Sequence, residues 1–152
     1  MLTFVLGSAI VTSLAVTVAS WFSANQCKVV TVPAILVVED NPDNRETLAV
    51  VVTTMGYEVV TAESGEAALR ALEQRADIAL VVCDIRLPGM DGMAFREVVR
   101  ERYPALKIAL VTGDPDAADA AVQAGVVAML KPYKFDALTR VIVEALATPP
   151  KS

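Results

Sequence analysis

The sequence predicts an α/β protein whose parallel sheet is covered by helices on both faces. From residue 31 onward, short apolar runs alternate with segments of helical periodicity, which is the pattern of strands joined by crossover helices. One run, Ile78–Asp84, is apolar until its final carboxylate, as expected for a strand buried on both faces. Five strand and helix units fill residues 31–148, so this range holds one domain at ordinary element lengths.

The first unit has the clearest boundaries. The apolar run Ala34–Val38 ends in Glu39 and Asp40. Asn41 followed by Pro42 is a typical helix start, because the Asn side chain caps free amides and proline needs no hydrogen bond in the first turn. Apolar residues then recur at helical spacing, at Leu48, Val51, Val52 and Met55.

Four more apolar runs read as strands, and each precedes a helix. The strands are predicted at residues 57–61, Ile78–Asp84, Lys107–Thr112 and 126–130. The helices that follow the second, third and fourth strands begin after Ser64, Asp91 and Asp114, and the fourth helix runs to Gly125. The last helix carries an apolar stripe formed by Phe135, Leu138, Val141, Ile142 and Leu146.

The composition excludes several classes of function. The formal net charge is −5, and this acidic balance offers no electrostatic surface for nucleic acid. Histidine is absent, which excludes a Ser-His-Asp or Cys-His catalytic site, an imidazole zinc site and a phosphohistidine. Two cysteines, Cys27 and Cys83, are too few for a disulfide framework.

Residues 1–30 form a separate apolar segment. Residues 2–24 carry no charged side chain, and a helix of this length would span a membrane. Trp21, Phe22 and Lys28 suit an anchor whose C-terminal side faces the cytoplasm. A removed secretory signal and a translated leader ahead of the true start codon remain as alternatives. Residues 149–152 are predicted to be a disordered tail.

Polar residues stand at the ends of four predicted strands. Glu39 and Asp40 follow the first strand, Asp84 ends the third, Thr112 ends the fourth and Lys131 follows the fifth. If the strand order is 2-1-3-4-5, as in flavodoxin-like three-layer sandwiches, these residues converge at one edge of the sheet. Carboxylates about 4 Å apart repel by roughly 4 kcal/mol at an effective dielectric constant of about 20. A divalent cation would relieve this repulsion, and oxygen-only ligands favour Mg²⁺.

This combination resembles the receiver domain of bacterial two-component response regulators, over about residues 35–146. Four motifs carry the resemblance, each at the end of the appropriate strand: Glu39-Asp40, Asp84 with the following Leu-Pro-Gly-Met-Asp-Gly, Thr112-Gly113 and Lys131-Pro132. The resemblance implies that Asp84 accepts a phosphoryl group from a sensor histidine kinase, a histidine phosphotransfer protein or a small phosphodonor. Taken singly, each residue also has an ordinary structural explanation, such as helix capping for Asp40.

The resemblance further implies the roles of the surrounding residues. Asp40 and Asp84 would bind Mg²⁺ together with the main-chain carbonyl of Arg86, and Glu39 would act mainly through bound water. The domain would be a phospho-accepting signalling domain rather than an enzyme, with only weak autophosphorylation and autodephosphorylation.

Phosphoryl contacts follow from the other two motifs. Thr112 and Lys131 would contact the phosphoryl oxygens, and the Lys131-Pro132 peptide bond would be cis, as in the family.

We expect a single-domain response regulator, since no output domain follows Leu146. Its receiver domain is expected in the cytoplasm, and it would be tethered to the inner membrane if residues 2–24 are an anchor.

One position departs from the family pattern. Receiver domains usually have an aromatic residue three positions before the lysine, where a rotamer change accompanies phosphorylation, and here that position is Ala128. A degenerate receiver that acts as a phosphorylation-independent interaction module is therefore the main alternative. Two other classes fit less well. An aspartyl-phosphate phosphatase usually has a second acid where Arg86 stands, and a flavodoxin-like cofactor binder needs a phosphate loop where residues 39–42 are acidic.

Overall fold

The computed structural model describes residues 32–147. The apolar segment at residues 2–24, Cys27 and the tail at residues 149–152 lie outside the described residues, so the predictions made for them stay predictions. Within residues 32–147, no helix combines the length and the apolar character needed to cross a membrane.

Five parallel strands alternate with five helices in this part of the chain. The strands are β1 (Ala34–Val38), β2 (Glu58–Ala62), β3 (Ile78–Asp84), β4 (Lys107–Thr112) and β5 (Val127–Leu130). The helices are α1 (Pro42–Thr54), α2 (Gly65–Gln74), α3 (Gly92–Arg102), α4 (Pro115–Gln123) and α5 (Phe135–Ala147). The strand order is β2-β1-β3-β4-β5, which confirms the predicted flavodoxin-like sheet.

The helix starts follow the local sequence signals. Asn41, Ser64, Asp91 and Asp114 each accept hydrogen bonds from amides of the next helical turn, which satisfies donors that have no partner inside the helix. These caps fix where the four helices that connect successive strands, α1 to α4, begin at the edge of the sheet.

The sheet separates two apolar clusters. One contains every second strand residue, such as Leu36, Val38 and Cys83, and packs against α2, α3 and α4. The other contains the alternate residues, such as Ile35 and Val37, and packs against α1 and α5. Because successive strand side chains point to opposite faces, fully apolar runs are what a three-layer sandwich requires.

Some predicted details are wrong. Strand β2 begins at Glu58 rather than residue 57, because its pairing with β1 starts at Ala34 and Glu58. Strand β5 begins one residue later than predicted, and α4 ends at Gln123, two residues before Gly125. Phe135 is 52% exposed, because it is the first residue of α5 and lies ahead of the turns that face the sheet.

Candidate functional site

The strand register brings the acids of β1 and β3 together. Val38 pairs with Cys83, so the next residues, Glu39 and Asp84, lie side by side at the carboxyl edge of the sheet. Asp40 follows in the loop after β1. Carboxylate oxygens of Glu39, Asp40 and Asp84 all lie within 4.8 Å of one another. The convergence predicted from the strand ends is therefore present.

Strands β4 and β5 add a hydroxyl and an ammonium group. Thr112 lies at the end of β4, next to the residue that pairs with Asp84, and Lys131 follows β5. The Nζ atom of Lys131 donates to Oδ2 of Asp84 and to Oε2 of Glu39, each at 2.5 Å. The Lys131-Pro132 peptide bond is cis, as predicted.

The site has more negative than positive charge. Glu39 is 2% exposed and Asp84 is 8% exposed, whereas Asp40 faces solvent. Burial raises the pKa of the Glu39 carboxyl above its usual value, although the contact with Lys131 opposes this shift. Burial alone would lower the pKa of Lys131, but its hydrogen bonds to Asp84 and Glu39 outweigh burial and raise it. Lys131 thus stays charged at neutral pH, and its ammonium group contacts two of the three carboxyl groups, those of Glu39 and Asp84.

Both oxygens of the Asp84 carboxylate have fixed partners. The main-chain amide of Arg86 donates to Oδ1 at 2.8 Å, and Lys131 donates to Oδ2. Thr112 is buried, and its hydroxyl accepts a hydrogen bond from the amide of Asp114 at 3.1 Å. The side chain of Asp84 is therefore oriented, and the loop after β4 is tied to Thr112.

The donor set fits a hard divalent cation. Glu39, Asp40 and Asp84 offer oxygen ligands only, and such ligands suit Mg²⁺ or Ca²⁺ rather than softer metals. The lysine offsets only part of the charge of these acids. A bound cation would offset the remainder, so the acidic cluster is a candidate metal site.

Arg45 is a contributor that sequence reasoning missed. Its guanidinium Nη1 donates to the main-chain carbonyl of Glu39 at 2.7 Å and to that of Asp40 at 3.2 Å. Arg45 lies in the first turns of α1, and it fixes the loop from which two of the three acids project. Its spacing from Asp40 is the only sequence signal, and that signal is weak.

Gly92 is a second missed contributor. A Cβ atom at this position would lie 2.4 Å from the carbonyl oxygen of Asp84 and 2.7 Å from Cα of Ile85. The absence of a side chain lets the start of α3 pack directly on the main chain of Asp84. The sequence shows the glycine in the turn after β3, but the close approach is a tertiary feature.

The fold and this polar edge define the class of receiver-like signalling domains. Residues 35–143 match the family model of the response regulator receiver domain. The match covers more than half of the sequence, and the chain belongs to this family.

Similar proteins agree with this assignment. The chain is 40% identical over 116 residues to the transcriptional regulatory protein GlrR of Escherichia coli (strain K12). This alignment covers 74% of this chain and 26% of GlrR. It is 39% identical over 107 residues to the response regulator protein FleR of Pseudomonas aeruginosa, covering 68% of this chain and 22% of FleR. This chain therefore spans about a quarter of the length of these curated relatives.

A solved structure shows the same architecture. The response regulator TrrA from Thermotoga maritima, crystallised in complex with Mg²⁺-BeF, superposes with a TM-score of 0.70 at 31% identity. The alignment covers 75% of this chain and 99% of TrrA.

Proposed function

We propose that this receiver takes part in a phosphorelay and that Asp84 accepts a phosphoryl group in a Mg²⁺-dependent reaction. The donor would be a histidine kinase or a histidine phosphotransfer protein. The observation that carries the proposal is the placement of Asp84, whose oxygens are held by Lys131 and the Arg86 amide beside two further acids. A carboxylate is a modest nucleophile, and its acyl phosphate is readily hydrolysed, so the modification suits a reversible signal.

In the transfer, an oxygen of Asp84 forms a bond to phosphorus as the N–P bond of the donor breaks. The donor imidazole leaves with the electron pair of that bond. Lys131 already contacts Asp84 and offsets charge on the incoming phosphoryl oxygens, because an ammonium group binds phosphate oxygens by charge-assisted hydrogen bonds. Thr112, at the adjacent strand end, would supply a hydroxyl to another of these oxygens.

The metal ion would be held by Asp40 and Asp84, by Glu39 through water and by the main-chain carbonyl of Arg86. When bound, Mg²⁺ would offset negative charge on the acids and on the phosphoryl oxygens. The complex of TrrA with Mg²⁺-BeF supports the choice of this ion.

A phosphorylation-independent interaction module is the second candidate, and Ala128 is the observation that favours it. Ala128 is half-buried against the cluster on the α4 side of the sheet, where its single methyl group has no rotamer to change. A module of this kind would bind its partner equally well as wild type and as the Asp84→Asn variant, whereas a phosphorylation-dependent receiver would lose the response to a phosphodonor.

Intact-mass measurement after incubation with acetyl phosphate tests the proposal. Wild type should gain the mass of one phosphoryl group with Mg²⁺ and none when the ion is chelated. Asp84→Asn should gain none under either condition. The proposal is wrong if wild type stays unmodified with Mg²⁺, or if Asp84→Asn is modified to the same extent.

We also propose that the domain lies in the cytoplasm, because its phosphodonors are made there. Fractionation of cells that express the full chain tests this location. Recovery of the domain in the cytosol, or on the cytoplasmic side of the inner membrane, is expected, and recovery outside that membrane would contradict the proposal.

A further inference from the structure

An ion pair joins the two loops that flank the site. The guanidinium of Arg86, in the loop after β3, contacts the carboxylate of Asp114, in the loop after β4. We propose that Arg86 exchanges Asp114 for the phosphoryl group on Asp84, and that this exchange reports phosphorylation to the first turn of α4. The inference rests on the proposed function of Asp84.

Arg86 is placed to make this exchange. Its main-chain amide donates a hydrogen bond to Asp84 Oδ1 at 2.8 Å, so the main chain of Arg86 is fixed beside the proposed phosphoryl acceptor. Its side chain is 73% exposed, so the guanidinium is free to change partner without disturbing the core. A phosphoryl group carries more charge than a carboxylate and offers three acceptor oxygens, and it competes well for a planar guanidinium.

Asp114 couples the ion pair to α4. Its Oδ2 contacts Arg86, while its Oδ1 accepts hydrogen bonds from the amides of Asp116 at 3.0 Å and Ala117 at 3.5 Å. The Arg86 guanidinium holds the pKa of this carboxyl below its usual range. The Asp114 carboxylate is thus held by Arg86 at one oxygen and caps α4 with the other. Loss of Arg86 as a partner would let the carboxylate turn, so the cap would hold less firmly.

Helix α4 is suited to respond to a weakened cap. Ala121 is the one residue of α4 that is buried, so little apolar packing holds this helix in place. Helices with few buried contacts open more readily than those that form the core. The ion pair would therefore transmit the state of Asp84 on the side of the sheet where Ala128 replaces the usual aromatic residue.

Hydrogen exchange of the full chain, with and without Mg²⁺ and beryllium fluoride, tests the exchange of partners. In wild type, amides at residues 116–118 should exchange roughly two- to fivefold faster with the phosphoryl mimic bound, the range expected for loss of one exposed ion pair. In Arg86→Ala this ratio should fall to about one, while fluorine NMR still detects bound mimic. Arg70→Ala, on the exposed face of α2, is the matched control and should keep the wild-type ratio.

A second variant decides the case if Arg86→Ala binds the mimic poorly. Asp114→Asn keeps a capping side chain but removes the charge that holds Arg86. In this variant without mimic, the amides of residues 116–118 should already exchange as fast as those of wild type with mimic bound. Addition of the mimic should not change their rate further. The proposed exchange of partners by Arg86 is wrong if wild type binds the mimic with no change in amide exchange at residues 116–118. It is also wrong if Asp114→Asn responds to the mimic as wild type does. If wild type gives no fluorine signal of bound mimic, the acceptor role of Asp84 fails, and the relay fails with it.

Discussion

Asp40 differs from the other two acids of the site in its surroundings. Lys131 contacts Glu39 and Asp84, whereas the carboxylate of Asp40 is exposed and lies within 4.8 Å of theirs. Asp40 therefore adds negative charge to the cluster without taking part in the lysine pair. If the site holds Mg²⁺ as proposed, Asp40 would contribute to cation binding rather than to the stability of the cation-free fold.

Replacing Asp40 by Asn should consequently stabilise the cation-free protein. Relief of like-charge repulsion at an exposed site should raise the free energy of unfolding by a few tenths to about 1 kcal/mol, measured by urea denaturation with a chelator present. The stabilisation that Mg²⁺ gives to wild type should be much reduced. Asp43→Asn, in the first turn of α1, is the control and should show neither effect. Equal behaviour of the two variants would contradict this account of the charge cluster.

The buried carboxyl of Glu39 predicts a pH dependence. Burial raises its folded-state pKa above the ordinary value of 4.5, so the folded protein holds this proton more tightly than the unfolded chain does. Stability from this group is then present at low pH and is lost as the pH rises from 4.5 through the folded pKa. Without divalent cations, the free energy of unfolding of wild type relative to Glu39→Gln should fall across that window. A constant difference would show that Glu39 titrates normally.

At the scale of single elements, α1 and α3 each support the site through one residue. Arg45 of α1 binds the carbonyl groups of the two acids that follow β1, and Gly92 of α3 lets that helix touch the main chain of Asp84. Neither residue would be a ligand of the proposed metal site. Arg45 holds the main chain that carries Glu39 and Asp40, and Gly92 lets α3 pack on the main chain of Asp84.

Arg45→Ala should weaken Mg²⁺ binding about tenfold, because residues that support metal ligands commonly affect affinity by 10- to 100-fold. Calorimetric titration of Mg²⁺ measures this directly. The free energy of unfolding in chelator should change little, since the arginine is partly exposed. Arg70→Ala serves as the control. Unchanged Mg²⁺ affinity in Arg45→Ala would show that the carbonyl contacts do not position the acids.

Gly92→Ala should destabilise the protein by about 1–3 kcal/mol, the usual cost of inserting a methyl group into a closely packed site. The added Cβ would meet main-chain atoms of Asp84 and Ile85, which cannot rotate away. Gly113→Ala is the comparison, because a Cβ atom added there would have no heavy atom within 4 Å beyond its chain neighbours. Similar urea midpoints for both variants would contradict the close approach of α3 to β3.

The strands, the helix caps and the polar edge were predictable because each depends on local sequence. Apolar runs mark the buried strands, Asn41 and Asp91 mark helix starts, and the polar residues at the strand ends converge once the strand order is known. The Arg86–Asp114 pair joins two loops that are distant in sequence, and the contacts of Arg45 join a helix to a loop. Both depend on the three-dimensional arrangement of these segments, and no spacing rule predicts them. The exposure of Phe135 was missed for a similar reason, since periodicity does not tell where a helix passes the edge of the sheet.

At the scale of the whole domain, a rigid sheet carries an exposed and charged edge. β1 and β3 are almost fully buried between the helical layers, so the positions of Glu39 and Asp84 are set by the core. The loops that follow these strands are more exposed and carry the residues that would respond to a new charge. This division suits a domain whose modification shifts a local equilibrium without unfolding the core.

Chemical trapping of the phosphorylated residue tests the central claim most directly. The full chain would be phosphorylated by acetyl phosphate with Mg²⁺, reduced with borohydride, which converts an aspartyl phosphate to homoserine, and digested with trypsin. Cleavage after Arg75 and Arg86 gives a peptide of residues 76–86 that contains both Asp77 and Asp84, so Asp77 is an internal control. We predict homoserine at residue 84 alone and only in the presence of Mg²⁺. Homoserine at residue 77 or elsewhere in the chain, or its absence from residue 84, would contradict the account.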